Sequence, residues 1–218
     1  MKKNDNIVLS FDLDNTIIDN REGIVNSFNY ALRKFNLQEM SKFEIEKMIG
    51  IPLNEMFASV TNLNPSKMCI AFRDYYGTKG IFQAKLLPGV IDILDELHKL
   101  SFQLGIITSK KQEMAIKVVK ILKIYKYFNY IFGESENIKS KLDPKLKDIL
   151  YKMYPDKKFI IIGDHPKDAM LSKFLGCPFI GVLTGFHSSE DLKSQRTNKI
   201  LILDSVNDIT IEHINSLI

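Results

Sequence analysis

The sequence predicts an α/β fold: a Rossmann-like parallel sheet core with helices on both faces and an inserted α-helical cap domain. Three observations carry this expectation. Short β-rich apolar runs alternate with stretches of helical spacing along most of the chain, which is the pattern of a buried parallel sheet joined by helical crossovers. One long early stretch breaks the pattern with helical spacing alone. Charged and hydroxyl residues gather directly after the apolar runs, where the carboxyl ends of parallel strands would lie.

Taken in order, Ile7 to Phe11 is the first apolar run and is followed at once by Asp12 and Asp14. Gln103 to Ile107, Lys158 to Ile162 and Pro178 to Leu183 are similar runs, each short enough for a strand and too short for a typical helix. Helical patterns separate them: Gly89 to Leu100 after a Pro-Gly start, Lys110 to Leu122, Pro144 to Met153, and Asp168 to Leu175 closing at Gly176. From Asp19 to Phe82 no strand pattern is found. Ile24, Phe28, Ala31, Leu32 and Phe35 fall at helical spacing there, as do Met68, Phe72 and Tyr76. The expected division is therefore a core of residues 1–18 and 83–218 with a helical cap of residues 19–82.

Composition bounds the function. With 218 residues, 45% of them apolar and 26% charged, the chain has the balance of an ordinary globular protein. The polar start, Met1 to Asn6, and the brief apolar run after it do not make a signal peptide. No segment reaches the roughly 18 uninterrupted apolar residues of a membrane span. A cytoplasmic location is expected, with no membrane partner. Cys69 and Cys177 stand far apart without metal-type spacing and read as buried small hydrophobes in a reducing compartment. The formal charge of +4 is spread along the chain, so a nucleic-acid partner is not expected; the commoner source of such a charge is a lysine-rich composition. A positive surface also suits a small phosphorylated metabolite. The expected assembly is a monomer or homodimer.

The chemistry-bearing residues sit at strand ends. Asp12 and Asp14 are two apart, so extended backbone would send both to the same side. Thr108 and Ser109 follow the second run, Asp164 and Asp168 follow the run ending at Ile162, and Lys141 precedes the helix leading into that run. Close carboxylates repel unless a cation lies between them or one holds a proton; with Asp164 arriving from another strand, a hard oxygen-seeking cation such as Mg²⁺ is the expected solution. A carboxylate attacking phosphorus needs the phosphoryl charge neutralised, which the metal, Lys141 and the groups around Thr108 would do. A second carboxylate, Asp14, would protonate the leaving oxygen and then activate water. Each residue alone has a plainer reading: a turn or cap aspartate, an N-cap Thr-Ser, a solvated lysine. Their joint occurrence, in order and at strand ends, is what favours chemistry.

The same residues resemble the motifs of the haloacid dehalogenase superfamily, over nearly the whole chain. Phe11-Asp12-Leu13-Asp14-Asn15-Thr16 looks like its first motif and Ile106-Ile107-Thr108-Ser109-Lys110 its second. Lys141-Leu142-Asp143-Pro144 looks like its third, and Gly163-Asp164-His165-Pro166-Lys167-Asp168 its fourth. The resemblance implies Asp12 as nucleophile, Asp14 as acid/base, Thr108, Ser109 and Lys141 as phosphate binders, and Mg²⁺ held by the Asp12 side chain, the Asp14 main-chain carbonyl and Asp164, with Asp168 in support. Within the superfamily, Gly50-Ile51-Pro52-Leu53, Leu87-Pro88-Gly89-Val90 and Gly185-Phe186-His187-Ser188 look like phosphoglycolate phosphatases. Pyrophosphatases of that branch are equally similar, and a β-phosphoglucomutase-like phosphotransferase is a further alternative. Two positions depart from the pattern: Asn15 stands where glycine is usual, and Leu142 where proline is usual. Asparagine tolerates left-handed backbone best of the non-glycine residues, so activity is expected to survive. His165 is expected to line the metal site without binding metal, His187 to belong to a surface loop, and Tyr75 and Tyr76 to pack.

Overall fold

In the computed structural model, which describes residues 4–195 and 199–218, a parallel sheet grows outward in both directions from the first strand. Met1 to Lys3 of the polar start lie outside the described residues. In chain order the elements are β1 (Ile7–Phe11), β2 (Ile18–Asp19), α1 (Arg21–Lys34), α2 (Lys42–Glu46), α3 (Leu53–Val60), α4 (Pro65–Thr78), β3 (Lys85–Leu86), α5 (Val90–Lys99), β4 (Gln103–Lys111), α6 (Gln112–Ile121) and β5 (Tyr130–Glu134). They continue as α7 (Pro144–Met153), β6 (Lys158–Gly163), α8 (Pro166–Leu175), β7 (Phe179–Val182), α9 (Ser189–Lys193), β8 (Ile200–Leu203) and α10 (Ile211–Leu217). The main sheet has the order β5-β4-β1-β6-β7-β8, every neighbour parallel, and β2 and β3 form a separate two-stranded sheet.

The strand order explains where a ligand can go. From β1 the chain moves to β4 and β5 on one side and then crosses back to β6, β7 and β8 on the other. Crossovers leaving in opposite directions open a crevice at the carboxyl end of β1, the general binding position in open α/β sheets. Phe11 is in register with Ile106 of β4 and Ile162 of β6, and the Asp12 N–H continues the ladder to the Ile162 carbonyl at 2.8 Å. All five residues of β1 are buried, as expected for a central strand covered on both faces.

Two edge strands complete the sheet beyond the four runs read from the sequence. In β5, Tyr130 and Phe132 alternate with Ile131 and Gly133, and β8 is a four-residue Ile-Leu-Ile-Leu run that is only half-buried. A run that short cannot be told from a piece of buried helix by periodicity. A second difference lies at β4, which continues through Thr108 and Ser109 to Lys111 with a register shift against β5 between Ile107 and Lys111. Helix α6 therefore begins at Gln112, not at Lys110. Pro144 to Met153 forms α7 over the span read from the sequence, with Asp143 as its N-cap.

By contact, the chain divides into two compact units, Met1–Ile18 with Leu86–Ile218, and Asp19–Lys85. The smaller unit extends beyond the expected end at Phe82, because a 3₁₀ turn at Gly80–Gln83 belongs to it. Its four helices bury the apolar residues whose spacing marked them, including Ile24, Phe28, Leu32, Met68, Phe72 and Tyr76. The Phe28 and Phe57 rings stack at 4.3 Å, and Asn20 Nδ2 donates to the Tyr76 hydroxyl at 2.7 Å. Tyr76 is thus a packing residue.

In the larger unit, one polar contact crosses the sheet. Tyr130 of β5 lies over Gly105 of β4, where any Cβ would overlap its ring, and brings its hydroxyl to 2.5 Å from Ser10 Oγ of β1. Burial disfavours the tyrosinate and raises the Tyr130 hydroxyl well above the usual tyrosine range. Replacing one partner strands a buried hydroxyl, at a cost of about 1–3 kcal/mol, whereas removing both leaves nothing unpaired. Tyr130→Phe and Ser10→Ala are each expected to lower the stability measured by urea unfolding by that amount. The double variant should lose clearly less than the sum; strict additivity would show that the two hydroxyls do not depend on each other.

Candidate active site

A buried ion cluster occupies the carboxyl end of β1. Asp12 follows β1, Asp164 follows β6, and Asp168 lies in the first turn of α8; one oxygen from each falls within 4.8 Å of the others. Lys141 enters from the loop before α7, and its Nζ lies 2.6 Å from Asp12 Oδ1 and 2.6 Å from Asp168 Oδ1. All four side chains are nearly inaccessible to solvent. The Lys141 loop keeps its shape without the usual proline at Leu142. Asp143 accepts from the Lys139 N–H at 2.8 Å and the Lys145 N–H at 3.0 Å, and Ser140 Oγ accepts from the Leu142 N–H at 3.2 Å.

The electrostatics of this cluster call for more positive charge. Burial, opposed by Lys141 and reinforced by Asp168 and Asp14, pushes the Asp12 carboxyl up to about 7. Asp164 is raised as well, first by burial and then by Asp12 and Asp168. Burial alone would drive Lys141 down, but the two carboxylates beside it outweigh this and hold it above the ordinary lysine value. Fully ionised, three carboxylates against one ammonium would leave an excess of two negative charges, and burial together with this excess is why Asp12 and Asp164 hold their protons more tightly than usual. A divalent cation offsets that excess, and three hard oxygen donors are the ligand type that Mg²⁺ takes. The donor set therefore fits such an ion, with Asp12, Asp164 and Asp168 as the side chains able to hold it.

Asp14 does not join this trio of side chains. After Leu13 the chain leaves extended backbone for a tight turn: the Ile17 N–H donates to the Leu13 carbonyl at 3.0 Å, the Asn15 N–H to the Ile18 carbonyl at 2.8 Å, and Asn15 is left-handed with φ 58°. The strand alternation used to aim both carboxylates at one cation does not extend through that turn. Asp14 Oδ2 instead lies 3.0 Å from Lys110 Nζ. The metal ligand that the family resemblance implies at Asp14 is its main-chain carbonyl.

The remaining candidates are placed as follows. Thr108 is buried and Ser109 half-buried in the irregular end of β4; Phe11 is in register with Ile106, so Asp12 runs alongside Ile107 and Thr108. Thr108 Oγ1 accepts from the Lys110 N–H at 3.3 Å. His165 is the N-cap of α8: its Nδ1 accepts from the Lys167 N–H at 3.0 Å while Asp168 Oδ2 accepts from the His165 N–H at 3.2 Å. Burial first, then His187 nearby, lowers His165 to about 3, so its ring is neutral. His187 meets it edge-on at 4.4 Å, and burial lowers His187 too.

Three further residues support the site: Thr16 and Gly185, which the sequence analysis named only within motifs, and Thr184, which it did not single out. Thr16 Oγ1 donates to Asp164 Oδ1 at 3.0 Å, and Thr184 Oγ1 donates to the Asn15 carbonyl, so the turn after β1 is tied to the ends of β6 and β7. Gly185 lies against the other oxygen of Asp164, where a Cβ would overlap Oδ2. The glycine after the Leu183-Thr184 run was a visible signal, but close approach to a carboxylate from another strand is not written in local spacing.

The family model for haloacid dehalogenase-like hydrolases matches residues 9–182. The pyrophosphatase PpaX of Bacillus velezensis is 26% identical over 193 residues, covering 88% of this chain and 89% of that protein. The phosphoglycolate phosphatase of Vibrio parahaemolyticus is 22% identical over 222 residues, covering 96% of each. A solved haloacid dehalogenase-like hydrolase of Streptococcus pneumoniae superposes with a TM-score of 0.81 at 30% identity, over 88% of this chain and 92% of that one.

Two outcomes follow from the cluster. A carboxyl whose pKa is raised on folding stabilises the fold below its unfolded value, near 3.8, and that stability is lost as pH rises through about 7 for Asp12. In chelator the melting temperature should fall across that window, and saturating Mg²⁺ should restore it by roughly 5–10 °C at neutral pH, from about 2.7 kcal/mol at a hundredfold excess over Kd. A metal-induced shift equal at pH 4 and pH 7 would contradict this. Gly185→Ala should displace the Asp164 carboxylate and weaken Mg²⁺ binding by roughly tenfold or more in calorimetric titration, while circular dichroism stays unchanged; unaltered affinity would show that Asp164 does not depend on that approach.

Proposed function

The chain belongs to the haloacid dehalogenase-like hydrolase family, and from that premise we propose that it is a Mg²⁺-dependent phosphatase of small phosphate monoesters, working through an aspartyl-phosphate on Asp12. The observation that carries this reading is the Asp12 carboxylate held 2.6 Å from Lys141 inside a buried cluster short of positive charge. Such a carboxylate is fixed in place, screened from bulk water, and adjacent to a cation that suits an incoming phosphoryl group. When bound, Mg²⁺ would neutralise phosphoryl charge beside Asp12 and Asp164.

The reaction then divides among named side chains. A carboxylate oxygen of Asp12 attacks phosphorus; the bond from phosphorus to the ester oxygen breaks, and Asp14 gives that oxygen its proton, so the alcohol leaves. Water then attacks the phosphorus of the acyl phosphate while Asp14 takes the water's proton, and inorganic phosphate leaves with Asp12 restored. Lys141 and Thr108 hold phosphoryl oxygens, with Ser109 beside them. Asp168 keeps Lys141 in position through their 2.6 Å contact. Substrate choice is assigned, in this reading, to the inserted helical unit Asp19–Lys85.

The relatives support this class: one is named a pyrophosphatase and one a phosphoglycolate phosphatase. A cytoplasmic setting fits two cysteines that are both buried. Among the described residues no helix is long and apolar enough to cross a membrane.

Hydrolysis of 4-nitrophenyl phosphate should require Mg²⁺ and stop in excess chelator. Asp12→Asn should fold and release no phosphate, since an amide is a poor nucleophile. Asp14→Asn should slow turnover by roughly 10² to 10⁴, the usual share of general acid–base catalysis. Near-normal turnover in Asp12→Asn would overturn the assignment.

A further inference from the structure

The proposed reaction gives no part to Asp143, the N-cap of α7. Its bonds go beyond those of a cap. Oδ1 accepts from the Lys145 N–H at 3.0 Å, the ordinary capping bond, while Oδ2 accepts from the Lys139 N–H at 2.8 Å, four residues back along the chain. The Asp143 N–H closes a turn on the Ser140 carbonyl at 3.2 Å, and within that turn Ser140 Oγ accepts from the Leu142 N–H at 3.2 Å. Lys141 stands at the corner of the turn, bracketed by bonds from both sides to one carboxylate. The two backbone N–H groups, Lys139 first and Lys145 next, hold the Asp143 carboxyl below the usual carboxylate range, so both of its oxygens accept at neutral pH.

A helix cap needs only one side-chain oxygen. The second fastens the start of the turn that delivers Lys141 to Asp12 and Asp168, 2.6 Å from each. Lysine carries its charge on a flexible four-carbon stem, so an ammonium held at that distance from two acids needs a backbone that does not swing. Leu142 packs against the core cluster on the apolar side of the turn, and Asp143 straps its polar side. Resting on the reading of Lys141 as a phosphoryl-binding group, we propose that Asp143 is a positioning residue for the reaction: it holds the turn in the shape that keeps Lys141 within reach of Asp12 and of a phosphoryl group bound there. A misplacement of about 1 Å at a reacting centre is enough to cost roughly a hundredfold in rate, so the loss of one strap is expected to register in turnover well before it registers in folding.

The test uses residues that cap a helix about as well as aspartate but cannot bracket the lysine. Asparagine and serine both cap, yet asparagine has an amide nitrogen where the second oxygen stood and serine has nothing there. Asp143→Asn and Asp143→Ser should keep the wild-type melting temperature to within roughly 2–4 °C. In both, kcat on 4-nitrophenyl phosphate and the affinity of the Mg²⁺-loaded protein for inorganic phosphate, read by calorimetric titration, should each fall roughly tenfold. Mg²⁺ affinity should not fall, because a displaced ammonium competes less for the same carboxylates, whereas a generally loosened site would lose metal and phosphate together. Wild-type turnover and phosphate affinity in both variants would reduce Asp143 to a cap and overturn the proposal. A much larger drop in melting temperature, or Mg²⁺ affinity falling with that for phosphate, would make it a structural residue and overturn the proposal as well. Hydrolysis by the wild type that neither substitution changes removes this inference alone; a wild type that neither hydrolyses the ester nor binds phosphate removes the phosphatase reading, and this inference with it.

Discussion

The contact on which the rest of the site depends is the bridge from Lys141 to both Asp12 and Asp168, 2.6 Å on each side and closed to solvent. An ammonium in that position would be unaffordable alone, and so would either carboxylate. Together they are tolerable, and the bridge ties three separate parts of the chain: the end of β1, the loop before α7 and the first turn of α8. Removing Lys141 would leave three carboxylates against one another. Removing Asp168 would leave the lysine held only by Asp12, the proposed nucleophile. The bridge thus ties Asp12 while sharing the lysine with Asp168, to which the proposed reaction gives no part in bond making.

The sheet supplies the geometry that this bridge needs. Because β1 lies between β4 and β6, its last residue has a strand end on each side, and the Asp12 N–H still pairs with the Ile162 carbonyl one position before Gly163-Asp164. Asp164 is then steadied by Thr16 from the turn after β1 and by the close approach of Gly185 beyond β7. Three strand ends are cross-linked in this way by short polar contacts. That rigidity matters because a nucleophile placed about 1 Å from its reacting position loses much of its advantage.

Much of this was legible in the sequence, and the boundary of legibility has physical causes. The central runs were readable because strands buried on both faces leave continuous apolar stretches, and α7 because Asp143-Pro144 is a strong start signal with helical spacing behind it. The edge strands β5 and β8 were not, since strands of four or five residues with half-exposed faces look like many other segments. The residues of the buried cluster could be named because each follows or precedes an element end. Their pairing could not be named: Lys141 with both Asp12 and Asp168, and Lys110 with Asp14, are long-range choices. Extended-strand logic sent Asp14 toward the same ion as Asp12 because nothing in the local pattern shows how sharply the chain turns at Asn15.

That turn gives two aspartates, separated by one residue, different partners. Asn15 adopts φ 58°, a conformation that asparagine accepts more readily than other side-chain-bearing residues, and the Thr184 hydroxyl donates to its carbonyl. With the chain folded back on itself, the Asp12 carboxylate enters the dry cluster and Asp14 is handed to Lys110 at its edge. Two acids that shared one environment would compete for one proton and one cation. Given separate ammonium partners and separate degrees of burial, one is placed for the phosphoryl side of the proposed reaction and the other for its leaving oxygen. The proposed division of labour then rests on the backbone between the two residues, with Asn15 and Thr184 shaping it, as much as on the aspartates themselves.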